Sequence, residues 1–571
     1  MATVASTIVD ALGSLGVRQV WGVVGDALNP ITEAIRLDGR VEWVGVRHEE
    51  VAAFAAGAQA QLSGTVGVCM GTVGPGSLHL LNGLYDAKKS HAPVLAICGQ
   101  VPTSDMGSNF FQEVDNNAVF ADVAVFHATV TAGAQLPYLL EQAVNAAYAH
   151  RGVAVLTVPG DVGDLDTDGV ATFALDGSRN VASAPDVAAA ATLLNDGGRV
   201  TMLVGCGARD ARDEVLDIAK ALAAPMVLTL KAKEGLEHDN PYQVGQSGLI
   251  GNRAAHTALH EADTLFLVGT DFPYRDWLPK GKKVVQLDSR PEHIGRRVSV
   301  TRGLIGDAKG TLAQLIALLE PRGDTKHLDR HRAEYQGWYG AQLRLTDPAH
   351  DRKLVGRVRK HLDNPDELIR PELVANIVND AAADDAIFTT DTGMATVWLS
   401  RFVEMRGTRR LLGSFNLGSM ANAMPQALGA QALDRGRQVV ALCGDGGLMM
   451  LLGDLRTAVT YRLPATFVVF NNKRLGMVKL EQEQSGLPEF GTELDNPDLA
   501  AVAEAMGLHA QQVTRPDDVA AAIRTALAHD GPALVDVHTN PAEISVPPKP
   551  TIQQGWGFAI AKIKENLNSR E

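Results

Sequence analysis

Short apolar runs without polar alternation recur along the chain: VGVCMG, LAICGQ, RVTMLVG, PMVLTL, TLFLVG, KVVQLD, ALCGDG and TFVVF. A strand without alternation is buried on both faces, which is the pattern of parallel sheets rather than of one-sided antiparallel ones. Between the runs lie Ala-rich or amphipathic stretches such as RDEVLDIAKALA, which predict helices. Strand and helix in alternation predict an α/β chain of doubly wound parallel sheets. At 571 residues the chain is too long for one core.

Two distant stretches share one pattern. AAGAQAQLSGTVGVCMGTVGPGSLHLLNGLYDAKKSHAPVLAIC ends at Cys98, and ALGAQALDRGRQVVALCGDGGLMMLLGDLRTAVTYRLPATFVVF ends at Phe470. Each runs from a helix with GAQA through a strand ending in Cys, a Gly-rich turn and a helix to Pro and a second strand, which predicts a duplicated domain. A third αβ pattern lies between them. Three doubly wound parallel-sheet domains are therefore expected, at 1–180, 181–340 and 341–542, with a short tail at 543–571. The charged stretch 327–360 reads as a solvated helical connector.

Composition changes this picture little: 46% hydrophobic, 21% charged, as in ordinary globular proteins. The formal net charge of −14 argues against nucleic acid as a partner. No apolar run approaches the roughly 18 residues of a spanning helix, and MATVASTIVDALGSLGV lacks the basic start of a signal peptide. A cytoplasmic protein is expected. Cys69, Cys98, Cys206 and Cys443 each close an apolar strand without CxxC spacing, which predicts small buried thiols, reduced and free of metal.

The chemistry concentrates where strands end, the edge at which open α/β sheets bind ligands. Asp445 sits between glycines after one buried strand, and Asn471-Asn472 close the next. Asp445 and Asn472 are hard oxygen donors, suited to Mg²⁺ that also binds phosphate and water. Gly444, Gly446 and Gly447 would let backbone approach a diphosphate at the start of the following helix. A strand-end Asx turn is the plainer alternative. In RHEEVAAFAAGAQAQ, Glu49 opens an Ala-rich helix, either as an ordinary first-turn charge or as a functional carboxylate flanked by Val51, Ala52, Ala53 and Phe54, where burial would raise its pKa.

GDGG followed by a helix, a strand and NN resembles the diphosphate-binding motif of thiamine-diphosphate enzymes. The resemblance implies Asp445, Asn472 and the backbone carbonyl of Arg474 as Mg²⁺ ligands. It implies Gly418, Ser419, Met420, Gly446, Gly447, Lys473, Leu475, Gly476, Met477 and Val478 as further thiamine-diphosphate contacts, with Met420 enforcing the bent cofactor. Glu49, directly after His48, would meet the aminopyrimidine, in a site shared with a neighbouring subunit.

Over nearly the whole chain, VWGVVGDALNPI, GPGSLHLLNGLYDA, GSNFFQE, DNPYQVGQSGLIG, LLGSFNLGSMANAMPQALGAQ and DGPALVDV resemble the bacterial pyruvate:quinone oxidoreductase family. The three domains would then be pyrimidine-binding, FAD-binding and diphosphate-binding. The resemblance implies pyruvate oxidation to acetate and CO₂ through FAD to a membrane quinone, by a dimer or a dimer of dimers. It places Phe111, Gln112, Glu481 and His79 at the thiazolium. It places FAD against Ser247, Gly248, Leu249 and Ile250, against Thr270, Asp271, Phe272, Pro273 and Tyr274, and against Asp288. LVGCGARD is no GxGxxG fingerprint. Acetolactate synthases, with an idle flavin, and phosphate- and oxygen-dependent pyruvate oxidases are the alternatives. Met477 stands where some quinone-dependent relatives have Phe; acetolactate synthases share LGMV but follow it with a Trp-bearing segment absent here. In the tail, Trp556, Phe558, Ile560, Ile563 and Leu567 with Lys562 and Lys564 suit either a lipid-contacting stripe, peripheral on the inner membrane face, or a packed helix.

Overall fold

The computed structural model describes residues 2–173, 179–352, 364 and 367–543; the candidate lipid-contacting tail lies outside them. Three six-stranded, all-parallel sheets follow one another along the chain. With strands numbered along the chain within each sheet, the first runs 2-1-3-4-6-5 across its width, from Gln19–Gly22 as strand 1 to Val153–Pro159 as strand 6. The third, from Ile387–Thr390 to Ala533–His538, has the same order. Matching topology is what the repeated sequence pattern predicts. The middle sheet, from Val200–Val204 to Arg302–Ile305, runs 3-2-1-4-5-6, the order of dinucleotide-binding folds, although the glycine fingerprint is missing.

The outer domains share one core. Helix Glu49–Ser63 is buried from Glu49 to Ala60 apart from its partly covered positions, and helix Ala423–Leu433 is buried from Ala423 to Ala432. Both are small and apolar all round, as a helix enclosed on every side must be. They pack directly on each other, and side chains from both domains form a single apolar cluster around them. The approach is close: a Cβ on Gly429 would stand 2.4 Å from the Ala55 carbonyl oxygen. Gln59 Nε2 donates to the Gly429 carbonyl (3.1 Å) and to Gln19 Oε1 (3.0 Å), while Trp21 Nε1 donates to Gln59 Oε1 (3.1 Å). The GAQA repeats are thus interface sequence.

Buried charge joins the middle domain to the third. Glu234 accepts from Arg209 (2.6 Å), from Arg410 (2.5 Å) and from the Leu411 amide (3.0 Å). The buried Lys233 pairs with Glu237 and donates to the Ser400 carbonyl (2.9 Å). Two expectations need correcting. The connector is not solvated throughout: helix Lys326–Leu343 buries Leu328 and His331 against helix Arg253–Glu261. Cys206 is exposed, unlike the other three thiols, because the strand before it ends at Val204 and Cys206 opens a surface 3₁₀ turn.

Gly429→Ala is expected to destabilise the protein by about 1–3 kcal/mol through overpacking. Gly57→Ala, whose Cβ would sit at an ordinary 3.5 Å from that of Ala87, should be neutral or stabilising by up to about 1 kcal/mol. Urea denaturation of the two variants measures the contrast.

Candidate active site

At the carboxyl edge of the first sheet, the chain turns at Gly74 and enters the short helix Pro75–His79. Glu49 begins its helix beside this turn, 7% exposed, with Oε2 against His79 Nδ1 at 2.9 Å. His48 caps the helix by accepting from the Glu50 amide (3.2 Å) and stacks on His79 at 4.5 Å between ring centroids. Oε1 of Glu49 lies against Gly76, where a Cβ would approach it to 3.1 Å. Glu50 points elsewhere: it accepts from Asn82 Nδ2 (2.7 Å), which also donates to Ser419 Oγ (2.9 Å) across the domain boundary. Gln112 belongs to this half, its carbonyl close to Gly74, whereas Phe111 is 78% exposed.

The second half lies at the carboxyl edge of the third sheet. Asp445 is buried, and its Oδ2 accepts from the Lys473 amide (2.8 Å) and from Asn496 Nδ2 (2.7 Å). Burial pushes its carboxyl up to about 6, the amides only partly opposing this. Asn472 Oδ1 accepts from the Arg474 amide (3.0 Å) in an Asx turn, and Arg474 itself pairs with Glu489 and Glu493. Leu475 and Met420 crowd Gly446. Gly418 carries φ +80°, and the Ser419 amide donates to Ser414 Oγ (2.9 Å). Gln112, Ala421 and Lys473 all have φ near +60°, a conformation that non-glycine residues seldom adopt and that tends to cluster at functional sites. The helix after Asp445 is only six residues long, so direct donors, rather than its dipole, define this end.

These donors fit a divalent cation on a diphosphate. Asp445 is a buried carboxylate whose hydrogen-bond partners are amides, with Asn472 and the Arg474 backbone adjoining, a hard-oxygen set that lacks its own counter-charge.

The predicted flavin segments adjoin this half. Ser247 Oγ is buried without a hydrogen-bond partner, and Gly248 (φ +99°) faces the rings of Phe272 and Tyr274. Thr270 Oγ1 accepts from the Phe272 amide (3.2 Å), and Asp271 pairs with His91, Arg296 and Arg297. Asp288 accepts from the Arg290 amide (3.0 Å) and faces His293. Leu249 is half-buried and Pro273 exposed. Ile250 packs against the same apolar cluster as Met477. Burial, and after it the charge of Glu481, raises the Tyr274 phenol. Glu481 thus faces the middle domain, and Val478 is exposed beside it. An orphaned hydroxyl and a glycine cradle under two rings suit a large polar cofactor.

Three residues escape sequence reasoning. Asp391 is fully buried, accepting from the Ala423 amide (2.9 Å) and the Gly444 amide (3.0 Å), and so ties the strand before Asp445 to the loop that carries Met420. Its signal was the DTG that closes the apolar IFTT. Asn496 and Asn82 stand in ordinary loop and helix sequence and gave none.

Descriptions of thiamine pyrophosphate enzyme domains match the chain in three places: the N-terminal TPP binding domain at residues 2–119, the central domain at 187–315 and the C-terminal TPP binding domain at 391–537. A putative thiamine pyrophosphate-containing protein, YdaP, of Bacillus subtilis (strain 168) is 37% identical over 573 residues, covering 100% of this chain and 97% of that protein. Pyruvate oxidase of Lactiplantibacillus plantarum is 32% identical over 543 residues, 93% of this chain and 87% of the relative. The large subunit of acetolactate synthase isozyme 2 of Escherichia coli (strain K12) is 30% identical over 549 residues, 94% of this chain and 96% of the relative.

Burial pushes the Asp391 carboxyl up to about 7. A carboxyl whose folded pKa is raised contributes its full stability below its unfolded pKa, near about 4, and loses it as pH rises through the folded value. The stability of Asp391→Asn relative to wild type, both without cofactor, should therefore rise by about 1.4 kcal/mol per pH unit between about pH 4 and 7. Urea denaturation across that range checks this; a flat difference would mean that Asp391 does not take up a proton on folding.

Proposed function

The chain belongs to the thiamine pyrophosphate enzyme family, alongside pyruvate oxidase and acetolactate synthase, and on that footing we propose that it oxidises pyruvate to acetate and CO₂, with electrons passing through FAD to a membrane quinone. The observation that carries this reading is the seam in a single chain between the middle domain and the helix Gly476–Gln484. There Ile250 shares an apolar cluster with Met477, and the charge of Glu481 reaches Tyr274. A flavin held by the segments 247–250 and 270–274 would border the helix Gly476–Gln484 that follows Asn472.

When bound, thiamine diphosphate supplies a nucleophilic carbon and an electron sink for loss of CO₂ from a 2-oxo acid, and FAD supplies a two-electron acceptor. Asp445, Asn472 and the Arg474 carbonyl are the donors for Mg²⁺. Gly418, Ser419 and Met420 support the ring end, with Gly446 and Gly447 at the diphosphate. Glu49, its Oε2 held by His79, has Oε1 as the atom that gives or takes a proton. His79, Gln112 and Phe111 wall the substrate side, and Glu481 the flavin side. The neighbours of Glu49 described above belong to the first domain, those of Asp445 to the third. A second copy of the chain brings a Glu49 to each Asp445 and covers the exposed Phe110, Phe111, Leu487 and Phe490.

Acetolactate formation is the second reading, favoured by Gly476-Met477-Val478, where no aromatic bridges toward the flavin. Among the described residues no helix is long and apolar enough to cross a membrane.

Anaerobic addition of pyruvate to protein carrying thiamine diphosphate, Mg²⁺ and FAD separates the two. Rapid bleaching of the flavin is expected; acetolactate made with unbleached flavin would establish the second reading. Glu49→Gln should slow bleaching by at least roughly 10²-fold while FAD stays bound.

A further inference from the structure

On helix Lys326–Leu343, His327 and His331 stand one turn apart and so share a face. That face meets the end of helix Arg253–Glu261, where Glu261 is the last residue. One ligand atom from each of Glu261, His327 and His331 lies within 4.8 Å of the other two. His331 is fully buried, and its Nε2 faces Glu261 Oε2 at 3.5 Å without forming a hydrogen bond. On the other side of that ring, Nδ1 meets Thr257 Oγ1 (3.3 Å) and Glu334 Oε2 (3.7 Å). With its proton on Nδ1, within reach of these oxygens, His331 has Nε2 free as a lone-pair donor on the side of Glu261. His327 is set by Thr201 Oγ1, 2.9 Å from its Nε2, and its ring meets that of His331 edge to face. The proposed pyruvate chemistry uses none of these groups.

We propose that Glu261, His327 and His331 form a binding site for a late first-row divalent cation, Zn²⁺ foremost, which clamps the connector helix to the middle domain. Two ligands at about 2.1 Å from a tetrahedral metal lie about 3.4 Å apart, and the Nε2-to-Oε2 separation of 3.5 Å already matches this. His327 supplies the third corner, and water takes the fourth. Two imidazoles and one carboxylate suit Zn²⁺, whereas Mg²⁺ and Ca²⁺ call for oxygen. Thr257 and Glu334 orient His331 from behind, as outer partners of metal-bound histidines do. One contact competes: Arg330 forks onto Glu261 at 2.9 and 3.1 Å. Its side chain is 64% exposed, so water can take over its hydrogen bonds when a cation displaces it.

The test uses full-length, tag-free protein, stripped with a chelator, equilibrated with Zn²⁺ and passed through a desalting column. Zinc per chain is then counted by mass spectrometry, and affinity is measured by calorimetry. Wild type is expected to retain about one equivalent more than Glu261→Gln or His327→Gln, with affinity lower in each variant by at least the roughly 10–100-fold that loss of an outer partner alone brings. Zn²⁺ bound at other histidines adds equally to all three proteins and cancels in the difference. Glu261→Gln keeps the size of a partly exposed side chain, so it folds, and circular dichroism verifies this. Co²⁺ should give wild type a visible tetrahedral absorption that both variants lack. Equal zinc retention by wild type and both folded variants would overturn the proposal.

Discussion

The contact between helix Glu49–Ser63 and helix Ala423–Leu433 fixes the geometry of everything around it. Alanine and glycine let the two backbones approach until Gly429 lies on the Ala55 carbonyl, with no room for a methyl group. Each helix begins at an end of the candidate site: one at Glu49, the other at the loop carrying Met420. A helix transmits its position rigidly along its length, so this single close approach sets how the two carboxyl edges face outward. Side chains bridging the same contact, Gln59 with Trp21 and Gln19, add hydrogen bonds that only one register satisfies.

Three buried carboxylates near those ends differ in what holds them. Asp391 accepts from main-chain amides of two separate segments, and joins the strand end to the Met420 loop. Asp445 also accepts from amides, yet adjoins Asn472 and the Arg474 backbone, a set of oxygen donors suited to the proposed cation. Glu49 has an imidazole on one oxygen and a glycine against the other, an arrangement for moving a proton. Under the proposed function the same group would serve as a tether, an ion ligand or an acid–base centre according to whether its partners are fixed dipoles, hard oxygen donors or a titratable ring.

Much of this was legible in the sequence. Unalternating apolar runs identify the parallel strands, and the repeated GAQA pattern foretells two sheets of one topology. The turn after ALCG and the pair of asparagines after TFVVF point to the edge where Asp445 and Asn472 stand. What escaped is what only tertiary closeness creates. Asp391 reaches the Gly444 amide from a neighbouring strand, and no periodicity encodes that. Asn496 arrives from a loop to hold Asp445. The connector's charge suggested solvation, but one face of a charged helix can still be covered, as Leu328 and His331 are.

The matched strand order of the first and third sheets has a further consequence. Two like folds that meet through equivalent helices give one polypeptide the arrangement of a symmetric pair of subunits. Because both halves lie in one chain, a substitution in one is not repeated in the other. The acid in GDGG and the neutral TVGPGS at the equivalent turn show the asymmetry this permits: one turn carries its own charge, and the other lies beside the carboxylate of Glu49 and the imidazole of His79.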